Sequence, residues 1–140
     1  MRRIALSAAL ALTALLAPAA GAEAAAPTVS ALSATDVQGV SALVKGEVDP
    51  QGLATTYRFE YVDQAAFAAS GFATALKTPA ASAGQAIGAH PARAALAGLA
   101  PGTTYRYRLV ASNSSGSASA EAAFTTSQGF GLRPGEEGFV

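Results

Sequence analysis

The chain has 140 residues, enough for one domain, and 51% are hydrophobic, much of that alanine. Nine basic and nine acidic residues cancel, so no net charge marks nucleic acid or an anionic membrane as a partner. Cysteine is absent, which excludes thiolate chemistry, cysteine metal sites and disulfide staples together, and tryptophan is absent too.

Residues 1–22 read as an export signal. Arg2 and Arg3 form a basic start, Ile4 to Leu16 is an uncharged apolar run, and Pro18 breaks it before small residues. Ala20-Gly21-Ala22 and Ala22-Glu23-Ala24 both fit the small-x-small cleavage rule, which places cleavage between residues 22 and 26. The run is short for a membrane anchor, which needs about 20 apolar residues. Loss of Arg2 and Arg3 takes nine basic residues to seven against nine acidic ones, a net charge of about −2. The destination implied is secreted, extracellular or cell-surface. The richness in Ala, Gly, Arg and Pro suggests a GC-rich bacterial genome.

Thr28 to Thr35 reads as a first strand and Asp36 to Gly39 as a turn. Val40 to Val48 is the second strand, with Ala42, Val44, Gly46 and Val48 on one face. Asp49-Pro50-Gln51-Gly52 is a turn. In the third strand, Thr55 to Val62, Tyr57, Phe59 and Tyr61 alternate with Arg58 and Glu60, so three rings share a face. They serve either as core or as an exposed strip that stacks on sugar rings or a peptide, and core is the simpler reading.

Asp63 is placed to cap a short helix over Gln64 to Ser70, with Gly71 ending it. Phe67 and Phe72 pin this insert to the body, where it forms either a lid over an open sandwich end or a binding loop. Ala73 to Thr78 returns as a short edge strand, and Pro79 to Gly88 is a loop of small residues. His90 to Leu96 is a fifth strand, with Pro91 tolerable at an edge or a strand start. His90, the one histidine, is read as a solvated or hydrogen-bonded rim side chain before a ligand or base. Pro101-Gly102 is a turn, and beyond it Tyr105, Tyr107, Leu109 and Ala111 alternate with Arg106, Arg108, Val110 and Ser112. Asn113 to Gly116 is a tight hairpin turn and Ala118 to Thr126 the last strand. Ser127 to Val140 is a Gly-rich tail, read as a flexible end or the start of a further domain.

Leu99, Pro101, Gly102 and Tyr105, followed by the alternating strand and the Asn113–Gly116 turn, resemble the corner and penultimate strand of fibronectin type III domains, closest to the bacterial secreted variety. Gly46 to Tyr61 resembles the second and third strands of those repeats. The resemblance covers about Pro27 to Thr126, or residues 27–126 as one domain. It implies an all-β, immunoglobulin-like Greek-key sandwich of about seven strands. It also implies a tyrosine corner, in which the Tyr105 hydroxyl turns back to a backbone group. Animal members carry a buried Trp near the position of Gly46; here ring mass from the next strand is expected to fill the core. The integrin-binding Arg-Gly-Asp of some animal members has no counterpart in Asn113-Ser114-Ser115-Gly116.

One histidine and no cysteine make no ordinary zinc site. No nucleophile elbow, P-loop or dinucleotide glycine pattern occurs. Asp36, Asp49 and Asp63 lie in turns, without the spacing of a calcium loop. The chain is therefore read as a non-catalytic, monomeric module without a cofactor. It is either a structural spacer or an interaction domain, the alternative being a polysaccharide- or protein-binding accessory module of an exported hydrolase. Phe67 and Phe72, or an open strand edge, are the candidate contacts.

Overall fold

The computed structural model describes residues 24–128; the segment read as an export signal and most of the Gly-rich tail lie outside the described residues. The elements are β1 (Thr28–Thr35), β2 (Ala42–Asp49), β3 (Thr55–Asp63), α1 (Gln64–Ser70), β4 (Leu76–Lys77), β5 (Ala81–Gly84), β6 (His90–Leu96), β7 (Thr104–Asn113) and β8 (Gly116–Thr125). One sheet has the order β1-β2-β6; the other runs β4-β3-β7-β8, with β5 also paired to β3. All pairings are antiparallel. The chain crosses between sheets after β2, before β6 and after β6, which makes the molecule an immunoglobulin-like, fibronectin type III-like Greek-key sandwich.

The core follows from alternation. Val44 and Val48 of β2, Ala92 and Leu96 of β6, Phe59 of β3, and Tyr107, Leu109 and Ala111 of β7 are buried between the sheets with Phe124 of β8. Tyr57 and Tyr61 share the core face of β3 with Phe59 and are half-buried. The three rings therefore belong to the core side; they form no outward strip.

Gly46 departs from the expected packing. A Cβ placed on it would stand 2.7 Å from Cδ2 of Leu109, 3.3 Å from the Ser30 carbonyl oxygen and 3.4 Å from Cδ1 of Leu32. Two leucines, one from the facing sheet, occupy the space that ring mass from β3 was expected to fill. The close approach of Ser30 coincides with a bulge: β1 shifts register between Ser30 and Ser33, where Ala31 has φ 54°.

Residues 79–88 are not a plain loop. Ala81–Gly84 forms β5, an eighth strand among the described residues, against Thr55–Tyr57. Its own residues carry little strand propensity; the open edge of β3 supplies the partner. Between β4 and β5, Thr78 continues the cover. Its Oγ1 accepts the Phe59 N–H at 2.9 Å and its N–H donates to the Phe59 carbonyl at 2.9 Å. Short segments thus close the long edge of β3, the usual protection against edge-to-edge association.

Candidate functional site

The same alternation that buries Tyr57, Phe59 and Tyr61 turns Arg58, Glu60 and Val62 to the outer face of the larger sheet. On β7 it turns out Arg106, Arg108 and Val110. Antiparallel register places Glu60 opposite Arg108, Arg58 opposite Val110 and Val62 opposite Arg106. Arg108 is in turn opposite Glu121 of β8, and Glu60 opposite Lys77 of β4.

Glu60 is the centre of this lattice. The residue is 1% exposed. Its Oε1 accepts from Arg108 Nη2 at 3.0 Å, and its Oε2 from Arg58 Nε at 3.0 Å, with Arg58 Nη2 also at 3.0 Å. A buried carboxylate is tolerable only when paired and hydrogen-bonded. Burial pushes its pKa up, but the hydrogen bonds and charges of Arg108 and Arg58 outweigh burial, and the carboxyl titrates below its ordinary value. Arg106 reaches Glu121 only at 3.8 Å, a looser pair on the exposed side.

The insert rests on the arginines. Asp63 ends β3 and caps α1, its Oδ1 accepting the Ala66 N–H at 2.8 Å; Gly71, at φ 61°, ends the helix and donates to the Phe67 carbonyl at 2.7 Å. The Phe67 and Phe72 rings meet edge to face, 5.2 Å apart. Arg106 Cζ lies 4.5 Å from the Phe67 centroid, and Arg108 Cζ lies 4.5 Å from that of Phe72. The aromatic pair is thus turned onto the outer face of the sheet, where it packs on guanidinium groups. As a lid over the open sandwich end, the insert was expected elsewhere.

Beyond the insert the outer face opens into a groove of about 280 Å³, lined by Arg58, Glu60, Arg108, Val110, Ser117 and Ser119 among others. Four basic side chains, Arg58, Lys77, Arg106 and Arg108, share this face with two acidic ones, Glu60 and Glu121. Charge balance over the chain therefore conceals a local excess of positive charge. Sequence reading singled out Phe67 and Phe72 but not the charged lattice beneath them. Its trace was there, as Arg and Glu at alternate positions of one strand and two Arg at alternate positions of another.

The corner residues singled out from sequence lie at one end of the sandwich. Leu99 is buried and donates to the Val40 carbonyl at 3.0 Å; Pro101 and Gly102 are exposed, with Gly102 at φ 59°. The Tyr105 hydroxyl accepts the Ala100 N–H at 2.8 Å, and its ring stacks on Phe124 with centroids 5.6 Å apart. These contacts hold backbone and core. His90, the first residue of β6, is half-buried at the rim of its strand; its parity with Ala92 and Leu96 turns it toward the core side, where Nε2 is enclosed and unpartnered.

No family model matches the chain, and no curated protein matches it. Among solved structures, it is similar to the sensor domain of the anti-sigma factor RsgI4 of Pseudobacteroides cellulosolvens. The shorter form of that domain is 18% identical, with 73% of this chain and 95% of that one covered and a TM-score of 0.55. The longer form is 16% identical, with 81% and 99% covered and a TM-score of 0.54. The third fibronectin III domain of human KIAA0343 is 19% identical, with 75% and 85% covered and a TM-score of 0.45. The likeness to the RsgI4 domains is one of fold. No helix among the described residues is long and apolar enough to cross a membrane.

Proposed function

We propose that the chain is an exported, non-catalytic module, of the bacterial secreted variety of fibronectin type III-like domains, that acts as a monomeric in-line spacer in an extracellular or cell-surface protein. The observation that carries this reading is where the ends of the sandwich are tied. At one end, Asn113 Nδ2 donates to the Ala25 carbonyl at 2.9 Å and Ser115 Oγ to the Ala24 carbonyl at 2.8 Å. At the other, Gly102 N–H donates to the Ser127 carbonyl at 3.1 Å and Ser127 N–H to the Gln38 carbonyl at 3.2 Å. The ten residues of β7 run between these points, a span of about 33 Å. The carboxylates support the non-catalytic part: Asp49 takes the N–H groups of Gln51 and Gly88, Asp63 caps α1, and Glu60 holds two arginines.

Two measurements test the spacer. The cysteine-free chain accepts a clean pair of labels at Ala24→Cys and Gln128→Cys; one narrow distance of about 30–40 Å is expected. A short or broad distribution defeats the geometry. The intact mass of the protein exported by its native host should exceed that of residues 23–140, because a spacer needs something to space. A mass ending at Val140 would overturn the reading.

The basic outer face favours a second reading, that of an interaction module. The RsgI4 domains are sensor domains by description, and a recognition role on the same type of sandwich is in keeping with it.

A further inference from the structure

We propose that the groove on the outer face of the larger sheet is a binding site for an acidic polysaccharide, with the carboxylate of a uronate unit seated on Arg58 and Arg108. The proposal rests on the interaction reading and names its ligand class. Three features support it. First, the two guanidinium groups are held in place before any ligand arrives. Glu60 takes Nε and Nη2 of Arg58 and Nη2 of Arg108. Each guanidinium carries five N–H donors, so both keep donors to spare beside the groove. Second, two arginines against one buried glutamate leave the groove with a net positive charge, and on the same face Lys77 adds to it while Arg106 is offset by Glu121. A bidentate carboxylate is the complement of such a fork.

Third, the lining separates a saccharide from the other candidates. No aromatic face lines the groove, as stacking on a neutral sugar would require; the Phe72 ring is already covered by Arg108. A peptide bound as an added strand needs free backbone N–H and C=O groups. The groove floor is the face of a sheet whose β3, β7 and β8 backbones pair with one another. What it offers is guanidinium N–H together with the hydroxyls of Ser117 and Ser119, which suits a ring bearing one carboxylate and several hydroxyls. The volume of about 280 Å³ takes a single such unit, and the groove is open to solvent.

The test is affinity electrophoresis of the mature full chain through gels containing polygalacturonate, poly-L-glutamate or dextran. Retardation by polygalacturonate alone, weakening as salt is raised, is the expected result. Arg58→Gln removes one partner of a charge-assisted contact and should weaken retention about tenfold. Ser119→Glu, at an exposed position, places a negative charge in the groove and should weaken it similarly. Arg93→Gln makes the same charge change on the opposite sheet and should leave retention unaltered. Equal loss with Arg93→Gln, or no retardation by polygalacturonate, overturns the proposal. Equal retardation by poly-L-glutamate overturns the saccharide assignment in favour of an acidic peptide. Retention on native cell-wall material that survives Arg58→Gln and Ser119→Glu overturns the groove while leaving an interaction role standing; absence of all retention removes both.

Discussion

The guanidinium carbon of Arg108 stands over the ring of Phe72, 4.5 Å from its centroid, while its Nη2 lies 3.0 Å from Glu60. One side chain thus ties the insert to the sheet and the sheet to its buried carboxylate. Phe72→Ala should remove a half-buried ring and a cation–π contact, at a cost of about 1–2 kcal/mol. For a domain of this size the melting temperature should fall by about 5 °C or more, read by thermal unfolding. An unchanged melting temperature would show that the insert is not packed on the sheet and would return Phe72 to the status of a free binding side chain.

Glu60 makes stability pH-dependent in a stated direction. Its folded-state pKa lies below its unfolded value of about 4.3. Its contribution is therefore complete above that value and disappears as pH falls through the depressed folded pKa. Denaturant unfolding between pH 6 and pH 2 should show this acid-side loss, and Glu60→Gln should flatten it while lowering stability at neutral pH. Arg58 and Arg108 are partly exposed, so water offsets some of the cost, about 1–3 kcal/mol.

Tyr105→Phe deletes only the hydroxyl that accepts the Ala100 N–H. Ala100 is exposed, so water replaces part of the bond. A loss of about 0.5–1.5 kcal/mol is expected, with the Phe124 stack intact. Equal stability of the two proteins in urea would remove any role for the corner in holding the fold.

Gly46→Ala should destabilise by about 1–3 kcal/mol, since its methyl group meets Leu109 at 2.7 Å and cannot retreat from the Ser30 carbonyl. Leu109→Val in the same chain shortens the opposing side chain and should recover part of the loss. A double variant no more stable than Gly46→Ala alone would place the strain elsewhere.

What the sequence disclosed and what it hid divide by range. The third strand is legible because Tyr57, Phe59 and Tyr61 alternate with charges, and α1 because Asp63 and Gly71 are local signals at its two ends. His90–Leu96 follows from its flanking turns. Ala81–Gly84 was hidden because its pairing depends on the edge of β3, more than twenty residues earlier, and not on its own composition. The outer-face lattice was hidden for the same reason: Glu60 and Arg108 are 48 residues apart, and only sheet register brings them together. Leu109 at Gly46 spans the two sheets, a relation that periodicity along one strand does not carry.

The ties at Ala24–Ala25 and at Ser127 have a mechanical consequence. β1 and β8 both leave the Asn113–Gly116 end and finish beside Gln38 and Thr103, so they run the same way along one flank of the sandwich. Tension applied between residues 24 and 128 therefore pulls these two strands lengthwise in opposite directions. The module is loaded in shear: contacts along the flank must yield together, and neither strand can be peeled off one residue at a time.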